Sequence, residues 1–421
     1  MGIEMVCIYK KRVSRTGMIV FCLLLLSVFM LVLPYTSRAA GNIMILPSIQ
    51  IKDGYDSNIN FSKTDEEEDF YTIVGASFAL DYAAALLNLS VGANLDVVRY
   101  AEEEQKDYES YGLGFNGNYQ IFERSQLNFN LSFDDDITLR SELEETGLVY
   151  IRSERQRYSA GGGFSHQVSE LSRLGVSYTY TKTEYDWEGN VDYTSDAIAF
   201  EYIRTLSNQR DTITITPNYY RTKSIVNEVD NYGLSFNWGH AFSETFNLNI
   251  KVGGRYTKTQ ASLTQPLIVF DPTLDPPFRV IYTQEEKSDS NWGVVADLSV
   301  EKIGERYSTA LGYNHDLSYS SLGQPTERDK IYFSGSLMLS ERLTVGLSGS
   351  LYFNNSESES YDLDSRYYEM TSYLSYQLTK NGSFRIEYTY ANDKDFTLTG
   401  DDQADRHNVL ISLTFGFPKE L

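Results

Sequence analysis

Histidine is the side chain most often used for proton transfer near neutral pH, and this chain has four: His166, His240, His315 and His407. Residues two apart in a strand lie on the same face, and each histidine shares its face with large apolar side chains. A histidine on such a face is poorly placed to act as a general base in a water-filled site. No serine or aspartate stands at a spacing that recommends a catalytic triad or dyad. We therefore expect no catalytic residues and no enzyme activity, although a hydrolase stays a rival.

Runs of carboxylates are the second group of residues that could do chemistry. They occur at residues 65–69, 102–104, 134–136 and 142–145. Hard cations such as Ca²⁺ and Mg²⁺ prefer carboxylate oxygens, so a divalent cation site is one interpretation. The sequence lacks the spacing of a calcium-binding loop, and solvated loops with loosely held cations explain the runs better. We predict neither a metal centre nor a cofactor, and whether these loops bind divalent cations stays open.

Charged residues of both signs fall on the opposite face of the predicted strands. We predict that they line a water-filled lumen: Arg155, Arg157, Arg173, Lys251, Arg255 and Arg385, with Asp96, Asp134, Glu201, Asp297, Glu369 and Glu387. Opposite charges on neighbouring strands pair and stiffen a wall. Two roles stay open for them, because such pairs can either hold the wall alone or guide a solute. Their mixed signs argue against strong ion selectivity.

Alternating strands are the elements that must position these residues. The clearest strand is predicted at residues 409–417, where small polar residues occupy one face and five apolar residues the other: Val409, Ile411, Leu413, Phe415 and Phe417. A last strand that ends in aromatics resembles the closing strand of bacterial outer-membrane β-barrels. The barrel assembly machinery recognises such a strand, and it pairs with the first strand of the barrel. We therefore predict that these five residues close the fold.

Short turns and long acidic loops alternate along the chain. Short turns recur about every 40 residues, for example at 122–125 and 340–342, and acidic segments such as 53–69 lie between them. This layout is typical of transmembrane barrels, in which the short turns are periplasmic. We predict an all-β fold, a transmembrane antiparallel up-and-down β-barrel of about 18 strands, with 16 as the alternative. A soluble β-sandwich is the rival, but the many tyrosines at strand ends favour the aromatic girdles of a barrel.

The N-terminal 39 residues have the three parts of a secretory signal peptide: basic residues, an apolar run at 18–33 and a small-residue cleavage site. Cleavage after Ala39 would leave residues 40–421 as the barrel, with an uncleaved membrane anchor as the alternative. Both cysteines, Cys7 and Cys22, fall in the signal, so we expect no disulfide. The net charge of −22 argues against a nucleic-acid partner, since the phosphate backbone demands a basic surface.

Two short motifs near the predicted first strands carry a family resemblance. The segment 55–61, Tyr-Asp-Ser-Asn-Ile-Asn-Phe, is followed by Asp-Phe-Tyr at 69–71 and a strand at 74–80. Together with the repeated hairpins and the closing strand, this opening resembles the β-barrel porin type 2 family. The likeness covers essentially the whole chain after the signal.

The resemblance implies a location and partners. Members of that family look like barrels of about eighteen strands in the outer membrane of Gram-negative bacteria, in keeping with the strand count above. Several are associated with exopolysaccharide export, where they are thought to supply the pore above a periplasmic polysaccharide-export protein. The resemblance thus implies an exopolysaccharide conduit that contacts outer-membrane lipid and lipopolysaccharide. The alternatives are a general diffusion porin, a structural or adhesive surface barrel, and a sheath around another secretion or electron-transfer complex.

The longest predicted connection, residues 260–285, is unusually apolar for an outer loop and contains four prolines. It can fold into the barrel mouth and narrow the pore. It can also extend its two flanking strands as a hairpin above the membrane. The sequence leaves these two alternatives open.

Overall fold

The fold was analysed in a computed structural model that describes residues 41–149, 151–270, 278–321, 323–356, 363–396 and 402–420. For residues 262–270 and 278–286 it describes the backbone alone. The predicted signal peptide, residues 1–39, lies outside these ranges and stays a prediction. Among the helices in these ranges, none has the length and apolar character needed to cross a membrane.

Eighteen long strands make up almost all of the described chain. They are β1 (Asn42–Asp56), β2 (Asp69–Ala83), β3 (Leu87–Tyr100), β4 (Tyr108–Phe122), β5 (Ser125–Ile137), β6 (Glu154–Ser169), β7 (Ser172–Tyr185), β8 (Tyr193–Thr205), β9 (Asp211–Ser224), β10 (Asn227–Ser243), β11 (Phe246–Phe270), β12 (Phe278–Ile303), β13 (Tyr307–Tyr319), β14 (Pro325–Met338), β15 (Leu343–Ser356), β16 (Asp364–Thr379), β17 (Gly382–Asp395) and β18 (Asp402–Gly416). A two-residue strand, β19 (Lys419–Glu420), follows, and α1 (Thr138–Thr146) is the α-helix.

Each strand pairs antiparallel with its neighbours in sequence, and the sheet closes on itself. The closing pair joins β1 to β18 from Ser48 opposite Gly416 to Asp56 opposite Asn408. Closure leaves no open edge at the chain ends, where unpaired backbone groups in lipid would each cost several kcal/mol. The predicted antiparallel barrel of 18 strands is confirmed, and Val409 to Phe415 lie in its closing strand.

The two faces of each strand differ as the alternating sequence predicts. On β10, Tyr232, Leu234 and Phe236 point outward and are exposed, whereas Asn231 and Ser235 point inward and are buried. The outward residues of all the strands form an apolar belt, and the inward ones form a polar lumen. We call these the lipid face and the lumen face.

The two ends of the barrel differ in their connections. At one end, short turns join the strands, for example at residues 123–124, 170–171 and 380–381, which we call the turn end. The longer connections, including residues 57–68 and 138–153, lie at the opposite end, the loop end. The alternation of short and long connections is therefore as predicted.

The segment at 260–285 extends its flanking strands. The β11–β12 ladder continues without a break from Phe246 opposite Lys302 to Phe270 opposite Phe278. Of the two alternatives, the described backbone at 260–270 and 278–285 therefore adopts the extended hairpin, and residues 271–277 lie outside the described ranges. Another part of the chain enters the lumen.

Candidate functional site: the lumen and its helix

The loop between β5 and β6 contains the helix α1. Leu139, Leu143 and Thr146 recur at helical spacing on its buried side. Gly147 ends the helix in the left-handed conformation with φ 67°, and its N–H donates to the Leu143 carbonyl. A Cβ at this glycine would lie 2.4 Å from the Tyr352 ring, so the close approach also requires glycine. The alternating pattern of the sequence does not predict this helix.

Contacts with two separate parts of the wall hold α1 across the lumen. Near its start, Arg140 Nη2 donates to Asp96 Oδ2 of β3 at 2.7 Å. On the other side, donors from β14 and β15 bond to carbonyl oxygens at the helix end: Tyr352 Oη to Glu144 (2.5 Å), Asn354 Nδ2 to Gly147 (3.2 Å) and Arg328 Nη1 to Glu145. Five strands separate β3 from β15 around the sheet. The helix therefore bridges the lumen.

A third set of contacts ties the helix to β6. The Glu145 carboxylate accepts hydrogen bonds from Arg157 Nη1 at 2.6 Å and from Arg155 Nη1 at 3.2 Å. Arg155 is buried, and its Nε lies 3.5 Å from Asp136 Oδ1. Hydrogen bonds between ionised groups are about twice as strong as neutral ones. These pairs fix the helix in one position.

An apolar cluster seals the space around α1. Ile137, Leu139 and Leu143 pack with Tyr352, Tyr367 and Ala391, and Phe61 of the first loop packs on the cluster. The rings of Phe61 and Tyr367 meet edge to face with centroids 6.0 Å apart. Burial of each such side chain contributes roughly 1.5–3 kcal/mol. The first loop and the helix thus form one constriction at the loop end.

Glu142 links this constriction to the β13–β14 connection. Its side chain is 1% exposed, and its Oε1 accepts a hydrogen bond from the Ser321 N–H at 2.6 Å. The carboxyl also lies beside the Tyr185 hydroxyl of β7. Burial raises the pKa of Glu142, because a charged carboxylate loses its hydration there. Among the hydrogen bonds described above, Glu142 is the titratable side chain that joins α1 to the β13–β14 connection.

The first loop anchors the joint between β1 and β18. Asp56, 1% exposed, accepts hydrogen bonds from Arg406 Nε at 2.9 and 3.0 Å, and Asn408 Nδ2 lies 3.3 Å away. Asn58 Nδ2 donates to the Asp405 carbonyl at 3.1 Å. These bonds satisfy polar groups in a buried place, where an unmet partner would be costly.

The twelve residues predicted to line the lumen all lie on the lumen face set by the strand registers, and many of them meet. Asp96, Arg155, Arg157 and Asp134 surround the helix, with Asp134 opposite Arg157. The others lie away from the helix. Lys251 is opposite Asp297, and Arg255 bonds Glu327. Arg385 bonds Glu387, Glu369 bonds Tyr367, and Arg173 and Glu201 lie toward the turn end. Whether they line the path of a solute stays a prediction.

Two cavities open from the lumen face. One, of about 450 Å³, is lined by Asp297, Lys330 and Glu369 among other residues. The second, of about 350 Å³, is lined by Lys251 and Arg255 among others. Charges of both signs border the first cavity, which suits a hydrated polar solute better than an ion of one sign.

The residues considered for catalysis and metal binding are scattered. His166, His240, His315 and His407 bond Ser125, Asp211, Asp329 and Tyr388 in turn, at four separate places. Asp69 is occupied by the backbone N–H groups of Glu102 and Glu103. Within the described ranges, no group of three or more histidine, cysteine or acidic residues is arranged to hold a metal ion.

Comparison with known proteins supports a porin-type barrel. Residues 37–201 match the family model described as "Putative beta-barrel porin 2", and residues 320–418 match that of the oligogalacturonate-specific porin protein KdgM. The chain matches none of the curated proteins.

Solved structures with a similar outline are outer-membrane proteins of low sequence identity. OccAB1 of Acinetobacter baumannii is 12% identical, with 89% of this chain and 96% of that one covered and a TM-score of 0.42. OccK9 (OpdG) of Pseudomonas aeruginosa is 10% identical, with 90% and 98% covered and a TM-score of 0.45. The copper transporter OprC is 9% identical, with 90% and 83% covered and a TM-score of 0.43.

The closed fold, the apolar belt and the two porin-family matches agree with one another. A barrel with a lipid face and a polar lumen is a structure for the outer membrane of a Gram-negative bacterium. The chain is therefore an outer-membrane β-barrel, and two parts of it are similar to porins.

Proposed function

We propose that this barrel is a constricted pore for hydrophilic saccharides. The observation that carries the proposal is α1, which crosses the lumen between Asp96 on β3 and Tyr352 on β15. Porin barrels of sixteen or eighteen strands otherwise leave an open aqueous channel, so an internal segment is needed to select among solutes. Such a constriction favours small polar molecules over large ones.

Side chains of the lumen favour a saccharide as the solute. Arg385 lies 3.8 Å above the Tyr373 ring, and Lys330 lies 4.8 Å above that of Tyr352. Both cations lie on the lumen face, where they can donate hydrogen bonds to the hydroxyl and carboxylate groups of an acidic sugar. Both pairs lie within residues 320–418, the range that matches an oligogalacturonate-specific porin. An acidic oligosaccharide is the solute class that this arrangement favours.

Liposome swelling tests this function. Purified barrel is reconstituted, and the entry of galacturonate oligomers is compared with that of neutral maltose oligomers of equal length. We expect faster entry of the acidic sugars, and loss of the preference in the double variant Arg385→Ala, Lys330→Ala. The variant Thr371→Ala, Thr389→Ala, two hydroxyls of the same wall that bond each other at 2.9 Å, is the control. Equal rates for both sugars would instead identify a general diffusion porin.

A second candidate is the export of exopolysaccharide with a periplasmic polysaccharide-export protein. The match at residues 37–201 supports it, because this range contains the opening motifs on which the family resemblance depends. Passage of a polymer would require α1 to leave the lumen, and its contacts are noncovalent. Deletion of the gene should then abolish surface polysaccharide while the uptake of small solutes is retained. The reverse outcome would favour the saccharide pore.

The proposal places the loop end outside the cell and the turn end in the periplasm, with lipopolysaccharide around the lipid face. Peptide tags inserted at residues 64–67 should then react with an antibody on intact cells, and tags at 340–342 should not. Labelling of the turn-end tags on intact cells would reverse the orientation. Assembly by the barrel assembly machinery is part of the same proposal and is tested with the closing strand below.

A further inference from the structure

The ladder between β12 and β13 stops early. It runs from Ile303 opposite Ser308 to Ala296 opposite His315 and no further. Yet β12 continues to pair with β11 as far as Phe278, and β13 continues to pair with β14 as far as Tyr319. Above Ala296 the two strands therefore separate, and among the described residues no other strand pairs with β12 there.

A row of aromatic side chains shows the depth of this gap. Tyr232 is opposite Tyr256, and Tyr256 is opposite Trp292, so these rings lie at one level of the lipid face near the loop end. If the β12–β13 ladder continued by four residues, Tyr319 would join the row beside Trp292. At about 3.3 Å per residue, the gap begins roughly 13 Å along the strand below this row. Aromatic rows mark the membrane interface, so the gap reaches into the apolar belt.

The end of the β13–β14 hairpin turns into the lumen instead. The ring of Tyr319 lies 5.6 Å from that of Tyr220 on the lumen face of β9. Glu327 accepts a hydrogen bond at 2.6 Å from Arg255 Nη2, and Arg255 is 1% exposed on the lumen face of β11. Asn227 Nδ2 donates to the Gln324 side chain at 3.1 Å. The hairpin is thus held away from β12 by specific contacts.

Further contacts reach across the lumen. The Val191 N–H donates to the Ser321 carbonyl at 2.8 Å, and the Ser321 N–H donates to Glu142 of α1. Residue 191 lies in the β7–β8 connection and Glu142 in the β5–β6 connection, so the hairpin end bonds to two separate connections as well as to the wall. Together these bonds make the separation of β12 and β13 part of the fold.

The two sides of the gap differ in chemistry. Inside, the cavity of about 350 Å³ is lined by Asn218, Asn231 and Lys251 of the lumen face and extends to Val295 and Leu317 at the gap. Outside, the lipid face presents large apolar side chains beside the gap, Trp292 at 81% exposure and Val294 at 60%. At the gap, a polar pocket and an apolar surface therefore lie on the two sides of the wall.

We propose that the gap between β12 and β13 is a lateral opening that binds an amphiphile. Its alkyl chain lies against Trp292 and Val294 in the membrane, and its polar head group lies in the cavity at Asn218 and Lys251. A phospholipid and an alkyl glycoside share this chemistry, and they differ in whether they arrive from the bilayer or from water. This activity is separate from saccharide passage and does not depend on it.

Photo-crosslinking from inside the lumen tests the opening. In one variant the photoreactive residue p-benzoylphenylalanine replaces Asn218, which lines the cavity. In the second it replaces Ser132 on the lumen face of β5. The two positions are matched, because each precedes an aromatic residue of the lipid face in its strand. The barrel is placed in vesicles of phosphatidylethanolamine and phosphatidylglycerol with a radiolabelled phospholipid, or is given radiolabelled dodecyl maltoside in the buffer. We expect severalfold more label at Asn218 than at Ser132. Label from phospholipid identifies the bilayer as the source, and label from the glycoside alone identifies water. Equal labelling of the two sites by both probes would overturn the proposal.

A reversible crosslink provides the matched control. Extension of the β12–β13 register places Val294 opposite Leu317. Residues 41–421 contain no cysteine, so a pair of new thiols there has no competing partner in the barrel. In the Asn218 photoreactive protein, oxidation of a Val294→Cys, Leu317→Cys pair should remove most of the label, and reduction should restore it. The pair Leu298→Cys, Tyr313→Cys, already opposite in the ladder, should change nothing. Label unaffected by the first disulfide would contradict the proposal, and if that disulfide does not form, the comparison of Asn218 with Ser132 decides.

Discussion

Two joints in the barrel wall differ in a way that chain connectivity does not explain. The closing seam, between β1 and β18, joins strands from opposite ends of the chain. The open seam, between β12 and β13, joins strands that are consecutive and linked by a three-residue turn. Yet the closing seam is paired up to Asp56 at the loop end, and the open seam ends at Ala296.

Side chains account for the difference. At the closing seam, Arg406 bonds Asp56, and Asn58 of the first loop bonds the backbone of β18 across the joint. At the open seam, the corresponding polar groups of the β13–β14 hairpin bond inward, to Arg255 and to α1. The extent of a ladder in this barrel therefore follows the side chains at the loop end. The predictions below disturb one seam at a time.

The largest effect should come from the closing strand. Replacement of Phe415 and Phe417 by serine removes two exposed aromatic side chains from the lipid face, at roughly 1.5–3 kcal/mol each, and weakens the strand that closes the sheet. We expect little or no folded barrel in the outer membrane. The measurement is the fraction of protein that changes gel mobility on heating. The pair Leu347→Ser, Leu351→Ser on β15 is the control, and an equal yield from both pairs would contradict a special role for the last strand.

Removal of α1 should have the next largest effect. Replacement of residues 138–149 by a short glycine-serine linker deletes the helix and the carboxyl of Glu142 that bonds the β13–β14 hairpin. We expect a severalfold rise in single-channel conductance in a planar bilayer, because the bridge across the lumen is gone. Deletion of residues 262–280 should leave conductance unchanged, since the described backbone at 262–270 and 278–280 continues the wall strands. A rise in conductance after the deletion of residues 262–280, and not after the replacement of α1, would assign the constriction to the β11–β12 hairpin.

Local pattern was sufficient to predict the wall. Residues 409–417 alternate between apolar and small polar side chains, and so do their counterparts around the barrel, because every strand meets lipid on one side and water on the other. The spacing of short turns, such as 122–125 and 380–382, then sets the number of strands. The same alternation placed Asp96 and Arg155 on the lumen face. These features depend on each strand's own sequence.

The constriction was harder to predict because its partners are distant in sequence. Glu145 bonds Arg328, and Glu142 bonds Ser321, so the position of α1 depends on residues more than 170 positions away. A local signal was nevertheless present, since Leu139 and Leu143 have helical spacing and Gly147 follows as a helix terminator. The inward turn of the β13–β14 hairpin has no local signal that we recognise.

A smaller effect is expected from the buried ion pair at the closing seam. Arg406→Ala leaves the Asp56 carboxylate, 1% exposed, without its cationic partner, which typically costs about 3–5 kcal/mol for a buried pair. We expect a lower temperature for the heat-induced change in gel mobility, with assembly retained. The double variant Arg406→Met, Asp56→Leu removes both charges and should recover much of the loss. Arg99→Ala, which removes an exposed pair on the lipid face with Glu109, is the control and should change little.

The smallest expected effect is a pH dependence of the constriction. Burial raises the pKa of Glu142, so the docked helix holds this proton more tightly than an undocked helix would. Docking is therefore favoured as the pH falls through the raised value and weakened above it. We expect wild-type conductance to fall as the pH is lowered toward the ordinary glutamate value of about 4.3, a range in which the neighbouring Arg155, Tyr185 and Tyr193 do not normally titrate. Glu142→Gln, neutral at every pH, should give low conductance throughout. Glu144→Gln, which removes an exposed carboxyl of the same helix, is the control that should keep the wild-type profile. A Glu142→Gln protein that still responds to pH would assign the response to another group.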